Sequence, residues 1–489
     1  MARVTVVGAG AAGLTAAIAA RKAGAEVALV SKTAAGAASC TAYSAGLFSL
    51  ACGGVTPEEQ FEKLLRTGYG LNDRKLLRTL TEESCASLEE IASWGVTVAF
   101  KKGGASVRAS ARNELMGGGG MVEELLRIAR GCGVKIIEWT AAREIFTIKN
   151  RAAGLSLTNW RAGKNYFLAS DAVILATGGA GRIYSNTDNP ERMTGDGYAL
   201  ALMAGLKLRD MEFVQFYPVG WAQPGFPMWM ADASLGDYIR VTDAHGNEFL
   251  PEAYREWNVK NGRECNRTAR DKLSILLAKK EGEGGVFAHV EETWPELWQD
   301  EGFLYALTLP PAFFKGLKSP LRIAPLEHYF CGGAEAGTSG ETAVDGLYAC
   351  GEVIGGIDGA NRMGGNALTH TVTFGLRAGR AAAGQPREMP TEFAPREDIP
   401  GNSADGRPVS EVRAELQEKA WRAIGPIRRA AEIKDFLLYI EKLKKEKIKA
   451  ESPHERLLAL EMTGLAASAE AVASAALKRK ESLGAHYII

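Results

Sequence analysis

The first thirty residues alternate between apolar and glycine-rich segments. Residues 3–7 show the pattern of a buried strand, and residues 12–23 are Ala-rich and apolar, which predicts a helix closed by the glycine that follows. Residues 26–30, Glu-Val-Ala-Leu-Val, predict a second, parallel strand. Residues 8–13 form a glycine-rich turn between the first strand and the helix. The order predicts a βαβ unit of about the length that a dinucleotide-binding fingerprint needs.

The pattern changes along the middle of the chain. Residues 57–95 follow a helical period with interspersed charges. Residues 135–175 predict short antiparallel strands that end in an apolar strand. Residues 222–326 contain more Trp, Pro and Glu, with irregular elements. This shift in composition predicts a second domain inserted into the first.

The last third of the chain returns to the style of its beginning and then becomes helical. Residues 330–385 are again Gly-rich in the manner of a nucleotide-binding domain. Residues 387–408 contain Pro and Gly and predict a linker. Residues 409–485 are rich in Ala, Leu, Lys, Arg and Glu and predict helices.

Charge and cysteine content narrow the class of protein. The chain has 58 Lys and Arg against 58 Asp and Glu, dispersed along its length, so nothing favours nucleic acid or an anionic membrane surface as a partner. The seven cysteines show no CxxC spacing, so no iron–sulfur cluster or structural zinc is encoded locally. We find no secretory signal and no uncharged run of about 20 apolar residues. We therefore expect a cytoplasmic protein that does not insert into the membrane and reaches it, if at all, through partners.

The glycines of the first turn have separate chemical uses. Gly8 permits the tight turn, Gly10 lets the backbone approach a pyrophosphate, and Gly13 permits close packing of helix on strand. The phosphate would then lie at the helix N-terminus. The alternative is a glycine-rich turn without a ligand. Ser31 stands where an acidic ribose ligand is usual, and its hydroxyl can also bond a ribose.

Further along, three segments could contact the same ligand. Residues 176–179, Ala-Thr-Gly-Gly, end an apolar strand, and Asp196 opens an Ala/Leu-rich helix. Glu352 follows a strand and a glycine, which suits a ribose or ribityl hydroxyl. A chain that opens with a dinucleotide loop and returns late to a Gly-Glu strand end indicates bound FAD. The alternatives are a plain helix cap for Asp196 and a buried structural carboxylate for Glu352.

Taken in order, the motifs resemble the flavoprotein subunits of the succinate dehydrogenase/fumarate reductase family and the related L-aspartate oxidases. The matching segments are Gly8-Ala-Gly-Ala-Ala-Gly13, Ser31-Lys32, Ala176-Thr-Gly-Gly179, Thr194-Gly-Asp-Gly197, Met211-Glu-Phe-Val-Gln-Phe-Tyr-Pro218, Thr268-Ala-Arg270-Asp271, His328-Tyr-Phe-Cys-Gly332-Gly333, Gly346-Leu-Tyr-Ala-Cys-Gly-Glu352, Ala360-Asn-Arg362-Met-Gly-Gly-Asn366 and Arg479-Lys-Glu-Ser-Leu-Gly-Ala-His486. Each motif is weak alone, and the ordered set is specific. The resemblance implies that FAD is held by Gly8, Gly10, Ala12, Gly13, Ser31, Lys32, Thr177, Gly178, Asp196, Glu352, Asn366 and Leu368.

The resemblance also implies a catalytic site. A small carboxylate, similar to fumarate or succinate, would stack on the flavin, and hydride would pass between flavin N5 and a substrate carbon. Arg270 would be the proton donor or acceptor, and His328 and Arg362 would clamp a carboxylate. An arginine acid is unusual, because its pKa lies above about 12. The alternatives are structural ion pairs for Arg270 and Arg362 and a core position for His328.

The chain departs from the family at three points. The quinone-linked members attach FAD to a histidine soon after the Ser-Lys element, but all six histidines here lie at 245 or later, so non-covalent FAD is expected. Cys40 is the nearby residue that could form a cysteinyl link. The family's substrate histidine is Tyr217, and its Thr-Glu pair aligns loosely with Ala231-Asp232. The anchor for one substrate carboxylate is therefore altered, which also admits a monocarboxylate enoate or a substrate larger than fumarate.

Several functions follow from this resemblance. The first is an FAD-dependent oxidoreductase of the fumarate reductase/succinate dehydrogenase type, with L-aspartate oxidase as the alternative. The second is the flavoprotein subunit of a complex in which an iron–sulfur subunit transfers electrons, and the third is a non-catalytic flavoprotein. The implied fold class is α/β. We expect a Rossmann-like FAD-binding domain in residues 1–221 and 328–388, an inserted α+β capping domain in 222–327 and a C-terminal helical domain in 389–489.

Overall fold

A computed structural model describes residues 1–108, 117–290, 295–317, 320–386, 394–395 and 402–489. The helices are α1 (Ala11–Lys22), α2 (Pro57–Thr67), α3 (Arg74–Ser93), α4 (Gly117–Gly131), α5 (Asp196–Met203), α6 (Leu250–Glu256), α7 (Gly262–Thr268), α8 (Arg270–Gly282), α9 (Glu301–Leu307), α10 (Asn366–Ala383), α11 (Val409–Ile424), α12 (Ala430–Leu443) and α13 (Pro453–Lys478). The strands are β1 (Arg3–Val7), β2 (Glu26–Val30), β3 (Leu47–Ser49), β4 (Val98–Lys101), β5 (Gly104–Val107), β6 (Lys135–Ile137), β7 (Thr140–Ile148), β8 (Arg151–Asn159), β9 (Lys164–Ala169), β10 (Ala172–Leu175), β11 (Leu208–Arg209), β12 (Val214–Trp221), β13 (Val241–Asp243), β14 (Val286–Ala288), β15 (Leu321–Phe330), β16 (Gly333–Ala334), β17 (Leu347–Ala349), β18 (Asn402–Pro408) and β19 (Ile448–Lys449).

A five-stranded parallel sheet lies at the centre of the largest hydrophobic core. Its strand order is β17-β10-β1-β2-β6, so the chain ends of three distant segments lie side by side. Helices α1 and α10 pack closely against each other beside this sheet. The central strands are buried and apolar, as is usual for parallel strands covered on both faces. In such a sheet the carboxyl ends of the strands form the edge at which ligands bind.

The prediction of antiparallel strands over residues 135–175 is only partly right. Strands β7, β8 and β9 form an antiparallel sheet with tight connections, as predicted. Strands β6 and β10, however, pair in parallel with β2 and β1 in the central sheet. A short apolar run has the same local pattern in both kinds of sheet, and its partner lies more than a hundred residues away, so the local sequence could not decide its direction.

A second hydrophobic core lies within the segment that the sequence predicts as an insertion. It extends from Val219 to Ile323 and is separate from the core around the parallel sheet. Its antiparallel sheet has the order β12-β15-β14-β13. Strands β12 and β15 also contribute residues to the first core, and helix α8 packs on both of them. These two strands therefore connect the two cores.

Helices α11, α12 and α13 pack together at the end of the chain, and α13 also packs on α5. Helix α13 is long and apolar enough to cross a membrane by length and composition, but 67% of its apolar window is buried inside the protein. Such burial is typical of a core helix. Most of the linker predicted over residues 387–408 lies outside the described residues.

Candidate functional site

One cavity of about 1370 Å³ runs from the carboxyl ends of β1, β2 and β10 to the segment that carries the second core. Its inner part is lined by the glycine-rich turn and by the loops after these strands. Its outer part is lined by residues of α7, α8, β12 and β15. The predicted cofactor residues and the predicted substrate residues thus share one continuous space.

The glycine-rich turn approaches its neighbours too closely for side chains. Gly8 has a φ of 114°, and a Cβ there would overlap the carbonyl oxygen of Ala176. A Cβ on Gly13 would overlap the carbonyl oxygen of Gly8, which explains the close packing of α1 on the strand. Gly10 precedes α1 as its N-cap and supplies no capping side chain. Gly8, Gly10 and Ala12 line the cavity, so the helix N-terminus meets it as bare backbone.

The loop after β2 brings a buried charge to the same cavity. Ser31 and Lys32 line it, and the Lys32 ammonium lies 2.7 Å from the Asp196 carboxylate and 2.9 Å from that of Glu461. Asp196 is the first residue of α5 and also accepts a hydrogen bond from Thr194. Gly195 is the N-cap of that helix, so Asp196 is not its cap. Its carboxylate is held at the cavity wall.

Glu352 and Thr177 lie deeper in the same wall. The Glu352 carboxylate accepts the backbone N–H of Phe330 at 3.0 Å. Burial raises the pKa of Glu352 to about 7, against the lowering effect of this hydrogen bond and of Arg362. The buried Thr177 hydroxyl has no hydrogen-bond partner among the described residues. A buried orphan hydroxyl in a cavity wall is a position where a ligand would supply the partner.

The remaining predicted cofactor residues occupy two kinds of position. Gly178 and Leu368 line the cavity. Gly13 and Asn366 do not, and the Asn366 amide donates instead to Asp358 Oδ1 at 2.6 Å. The donor set of the cavity fits FAD: bare backbone at a helix N-terminus for a pyrophosphate, and hydroxyl and carboxylate groups for ribose and ribityl oxygens.

Arg270 is buried in the outer part of the cavity, with 7% of its surface exposed. Its Nε donates to Asn266 Oδ1 at 2.9 Å, and its Nη1 donates to Gln215 Oε1 at 3.3 Å. A Cβ on Gly364 would lie 3.3 Å from Nη2, so the guanidinium reaches the backbone before α10. Burial lowers the pKa of Arg270, and the nearby Arg362 acts in the same direction. In the described part of the chain Arg270 forms no ion pair with a carboxylate.

Arg362 and His328 lie beside Arg270. The Arg362 guanidinium lies 4.4 Å above the centre of the Tyr329 ring, and its buried Nε has no hydrogen-bond partner among the described residues. His328 Nδ1 lies 2.8 Å from Asp188 Oδ2, which leaves Nε2 without a described partner. Burial lowers the pKa of His328, Asp188 opposes this, and both arginines add to the lowering.

Tyr217 stands between these cations and a carboxylate. Its ring lies 4.9 Å below the Arg270 guanidinium and 5.2 Å from the His328 ring. Its hydroxyl donates to Asp232 Oδ2 at 3.3 Å, and Asn266 Nδ2 donates to both oxygens at 3.0 Å. Burial raises the pKa of Tyr217, and Asp232 adds to this, so the phenol stays neutral. Ala231 is fully buried and does not line the cavity, whereas Asp232 does.

The sequence analysis did not identify three neighbours of the catalytic candidates. Asn266 holds Arg270 in place and precedes it by four residues, a spacing that gave an available signal. Asp188 holds His328, and Gln215 holds Arg270. Gln215 lies two residues before Tyr217 on β12, where the alternation of a strand favours one face for both. Asp188 gave no signal because it comes from a distant loop.

Comparison with known proteins gives matches over almost the whole chain. The FAD binding domain family model matches residues 3–368, and the fumarate reductase flavoprotein C-terminal model matches residues 413–488. One subunit of the fumarate reductase (CoM/CoB) of Methanothermobacter marburgensis is 28% identical over 99% of this chain and 93% of its own length. The L-aspartate oxidase of Streptomyces coelicolor is 28% identical over 99% of this chain and 88% of its own length.

A solved structure agrees with these relatives. The Sdh1 of Mycobacterium smegmatis in complex with UQ1 superposes with a TM-score of 0.82 at 26% identity, over 100% of this chain and 89% of that one. These matches confirm the predicted fold class and the predicted cofactor, FAD. The chain therefore belongs to the FAD-dependent family that contains the succinate dehydrogenase/fumarate reductase flavoprotein subunits and the L-aspartate oxidases.

Proposed function

We propose that this chain transfers hydride between FAD and a carbon atom of a small carboxylic acid, and interconverts an enoate and its saturated acid. The observation that carries the proposal is the convergence of Arg270, Arg362 and His328 on one cavity, with a buried Arg362 Nε that has no described partner. A buried guanidinium donor without a partner is costly unless an anion binds there. A carboxylate accepts guanidinium N–H groups in bidentate geometry.

Each cationic group has a separate role in this proposal. Bound FAD supplies the hydride donor or acceptor at N5. Arg362 and His328 hold the substrate carboxylate, which withdraws electrons from the carbon that receives or loses the proton. Arg270 exchanges that proton through Nη2, the nitrogen that faces Gly364 and has no described partner. The lowered pKa of Arg270 reduces the cost of a proton transfer that is otherwise unfavourable for arginine.

The cleft mouth supports an anionic substrate. Helix α2 places Lys63 and Arg66 on one side of it, and the other side carries Lys260, Arg263 and Arg267 in or just before α7. In the described residues none of these five side chains forms an ion pair. Burial and the nearby Arg267 lower the pKa of Lys63, which shows that the two sides lie close enough to repel. Unpaired cations around a cleft raise the local concentration of anions.

We propose the predicted division of the chain into domains on the same grounds. Residues 1–221 and 328–388 would bind FAD, residues 222–327 would form the capping domain, and residues 389–489 would form the helical domain. The separate core between Val219 and Ile323 supports this division. The Tyr69 hydroxyl, from the loop after α2, donates to Asp271 at 2.5 Å and ties the capping segment to the FAD-binding segment beside Arg270.

Flavin reoxidation tests the proposed reaction directly. We expect the reduced holoenzyme, kept without oxygen, to regain its oxidised flavin absorbance when an enoate from a panel of fumarate and monocarboxylate enoates is added. The donors described above would deliver the proton, and the product would be the saturated acid. No reoxidation by any member of the panel would contradict the proposal.

L-Aspartate oxidation is the alternative, favoured by the similarity to the Streptomyces coelicolor enzyme. Hydrogen peroxide formed from L-aspartate and oxygen would identify it. We further propose a cytoplasmic location and an iron–sulfur partner, because the related Methanothermobacter protein is named as one of the subunits of its enzyme. Co-purification of a Cys-rich protein with this chain tests the partner.

We expect the FAD to be bound without a covalent link. Cys40 lines the cavity, but burial and the nearby Glu352 and Asp188 raise the pKa of its thiol well above the ordinary value, so the nucleophilic thiolate is scarce. Acid precipitation of the holoenzyme should therefore release all flavin into the supernatant, and C40S should retain the same amount of FAD as the wild type. Flavin that stays with the acid-precipitated wild type, but not with C40S, would show a cysteinyl link.

Substrate binding should weaken as the pH rises. If Nδ1 of His328 donates to Asp188, Nε2 can donate to a carboxylate only when the ring is protonated. The free site has a lowered pKa at His328, and a bound carboxylate raises it, so binding takes up a proton. The dissociation constant of butanoate, measured by calorimetry on the oxidised holoenzyme, should increase from pH 6 to pH 9. His328→Asn should bind more weakly and lose this dependence; an unchanged slope would contradict the role.

A further inference from the structure

The group that faces the substrate across from Arg362 and His328 consists of Tyr217, Asp232 and Asn266. Asp232 Oδ1 accepts hydrogen bonds from the Ser234 N–H at 2.9 Å and from its hydroxyl at 2.6 Å. Asp232 Oδ2 accepts the Tyr217 hydroxyl and one hydrogen of the Asn266 amide. Only 9% of Asp232 and 2% of Tyr217 are exposed. The carboxylate is therefore held firmly in place by four donors.

Every donor of this group is already used within the group. The single Tyr217 hydrogen points to Asp232, and the Asn266 Nδ2 hydrogens point to Tyr217 and Asp232. The Asn266 oxygen accepts Arg270 Nε and is turned away from a substrate. What remains for a ligand is lone pairs, on the phenol oxygen and on the carboxylate. The group can accept hydrogen bonds and can donate none.

The charges in the cavity are distributed in the same sense. The main charges that act on His328 come from Asp188, Arg362 and Arg270. Arg270 is influenced by Arg362 and also by Asp232, so it lies between a cationic end and an anionic end. Tyr305, a further cavity residue, is raised in pKa by burial and by Asp232, which places the negative charge at this end. A second carboxylate there would meet Asp232 and find no donor.

We propose that the substrate carries one carboxylate, and at its far end a hydrogen-bond donor such as an amine, a hydroxyl or a ring N–H. Arg362 and His328 would bind the carboxylate, and Tyr217 and Asp232 would accept the donor. This inference rests on the proposed function, since it assigns the substrate class for the same cavity. It makes Asp232 and Tyr217 the specificity-determining residues, with Asn266 as the positioning residue that orients both.

A series of four-carbon acids that differ only at C4 tests the inference by binding. We would measure dissociation constants for butanoate, 4-hydroxybutanoate, 4-aminobutanoate and succinate by calorimetry on the oxidised holoenzyme without oxygen. We expect 4-hydroxybutanoate and 4-aminobutanoate to bind at least about tenfold more tightly than succinate, with butanoate between them, because a favourable contact of this kind is worth about a factor of ten. Succinate as the tightest ligand would overturn the inference and leave the proposed function intact.

Two substitutions assign the effect to this end of the cavity. Asp232→Asn removes the charge at nearly constant size and adds a donor, so succinate should bind more tightly and 4-aminobutanoate more weakly, with the ratio shifted at least about tenfold. Tyr217→His supplies an N–H donor and should raise the succinate affinity as well. The matched control is Asp237→Asn: this carboxylate accepts the Gly262 and Arg263 amides at the start of α7, outside the cavity. The ratio should not change there; an unchanged ratio in both test variants would overturn the inference.

The outcomes of the two proposals are separate. If the reduced holoenzyme transfers electrons to no enoate, including those with a C4 hydroxyl or amine, the proposed function fails and the inference fails with it. If it reduces fumarate faster than 4-hydroxybut-2-enoate and 4-aminobut-2-enoate, the proposed function stands and the inference is wrong. Preference for the hydroxy or amino enoate supports both.

Discussion

Arg270→Ala should remove turnover almost completely while FAD stays bound. The guanidinium is the group that we place at the proton-transfer position, and general acid–base groups contribute about 10²- to 10⁴-fold to rate. The loss of a positive charge beside the carbon that gains negative character adds to this. We therefore expect kcat/KM to fall by about a thousandfold or more. Flavin reoxidation by the best enoate gives the rate, and the absorbance ratio of flavin to protein gives the FAD content.

Two further variants separate proton transfer from general damage. Arg267→Ala removes an exposed cation from α7, one turn before Arg270, and should lower the rate only through weaker attraction of the anion. Arg270→Lys keeps the charge, but its shorter ammonium cannot hold Asn266 and Gln215 together as the guanidinium does. It should therefore regain only part of the rate. Near-normal turnover in Arg270→Ala with full FAD would contradict the proposed mechanism.

Features with a local cause could be predicted from sequence. Gly8 and Gly13 have neighbours that exclude any side chain, so the strand–turn–helix leaves a readable pattern. The ends of parallel strands meet at one edge of the sheet, and this rule brings Glu352 to the same cavity as the N-terminal turn. Resemblance to a known family then identified Arg270, His328 and Arg362, which the structure brings together in that cavity. Their chemical roles stay predictions.

The rest depended on contacts between distant segments. Asp188 meets His328 from 140 positions away, and nothing in the residues around it marks it as a partner of the ring. The direction of the hydrogen bonds among Tyr217, Asp232 and Asn266 depends on their packing, so the sequence showed an altered anchor but not which groups a ligand would meet. Strand β10 was assigned the wrong partners for the same reason, since an apolar run does not specify its direction.

A cluster of buried charges connects the C-terminal helices to the cofactor end of the cavity. Glu461 on α13 is 1% exposed and lies 2.9 Å from Lys32, 2.9 Å from Arg192 and 2.8 Å from Arg413. The three cations lower the pKa of Glu461, although burial acts against them. A single carboxylate thus compensates side chains from the loop after β2, the loop before α5 and helix α11.

Glu461→Ala should destabilise the protein by about 3–5 kcal/mol, the usual cost of removing one partner from a buried ion pair. Three cations would then face one another, with Asp196 left as the main counter-charge of Lys32. Because Lys32 and Asp196 line the cavity, FAD should also bind more weakly. Denaturant unfolding measures the first effect, and titration of the apoprotein with FAD measures the second.

The control and the pH dependence make this prediction specific. Glu470→Gln changes an exposed carboxylate on the same helix, paired with Lys444, and should cost no more than about 1 kcal/mol. Since the folded pKa of Glu461 is lowered, its contribution is complete above its unfolded pKa of about 4.3 and is lost as the pH falls below that value. The stability difference between wild type and Glu461→Ala should therefore shrink on acidification. A wild-type FAD affinity in Glu461→Ala would show that the helical domain supports the fold but not the cofactor site.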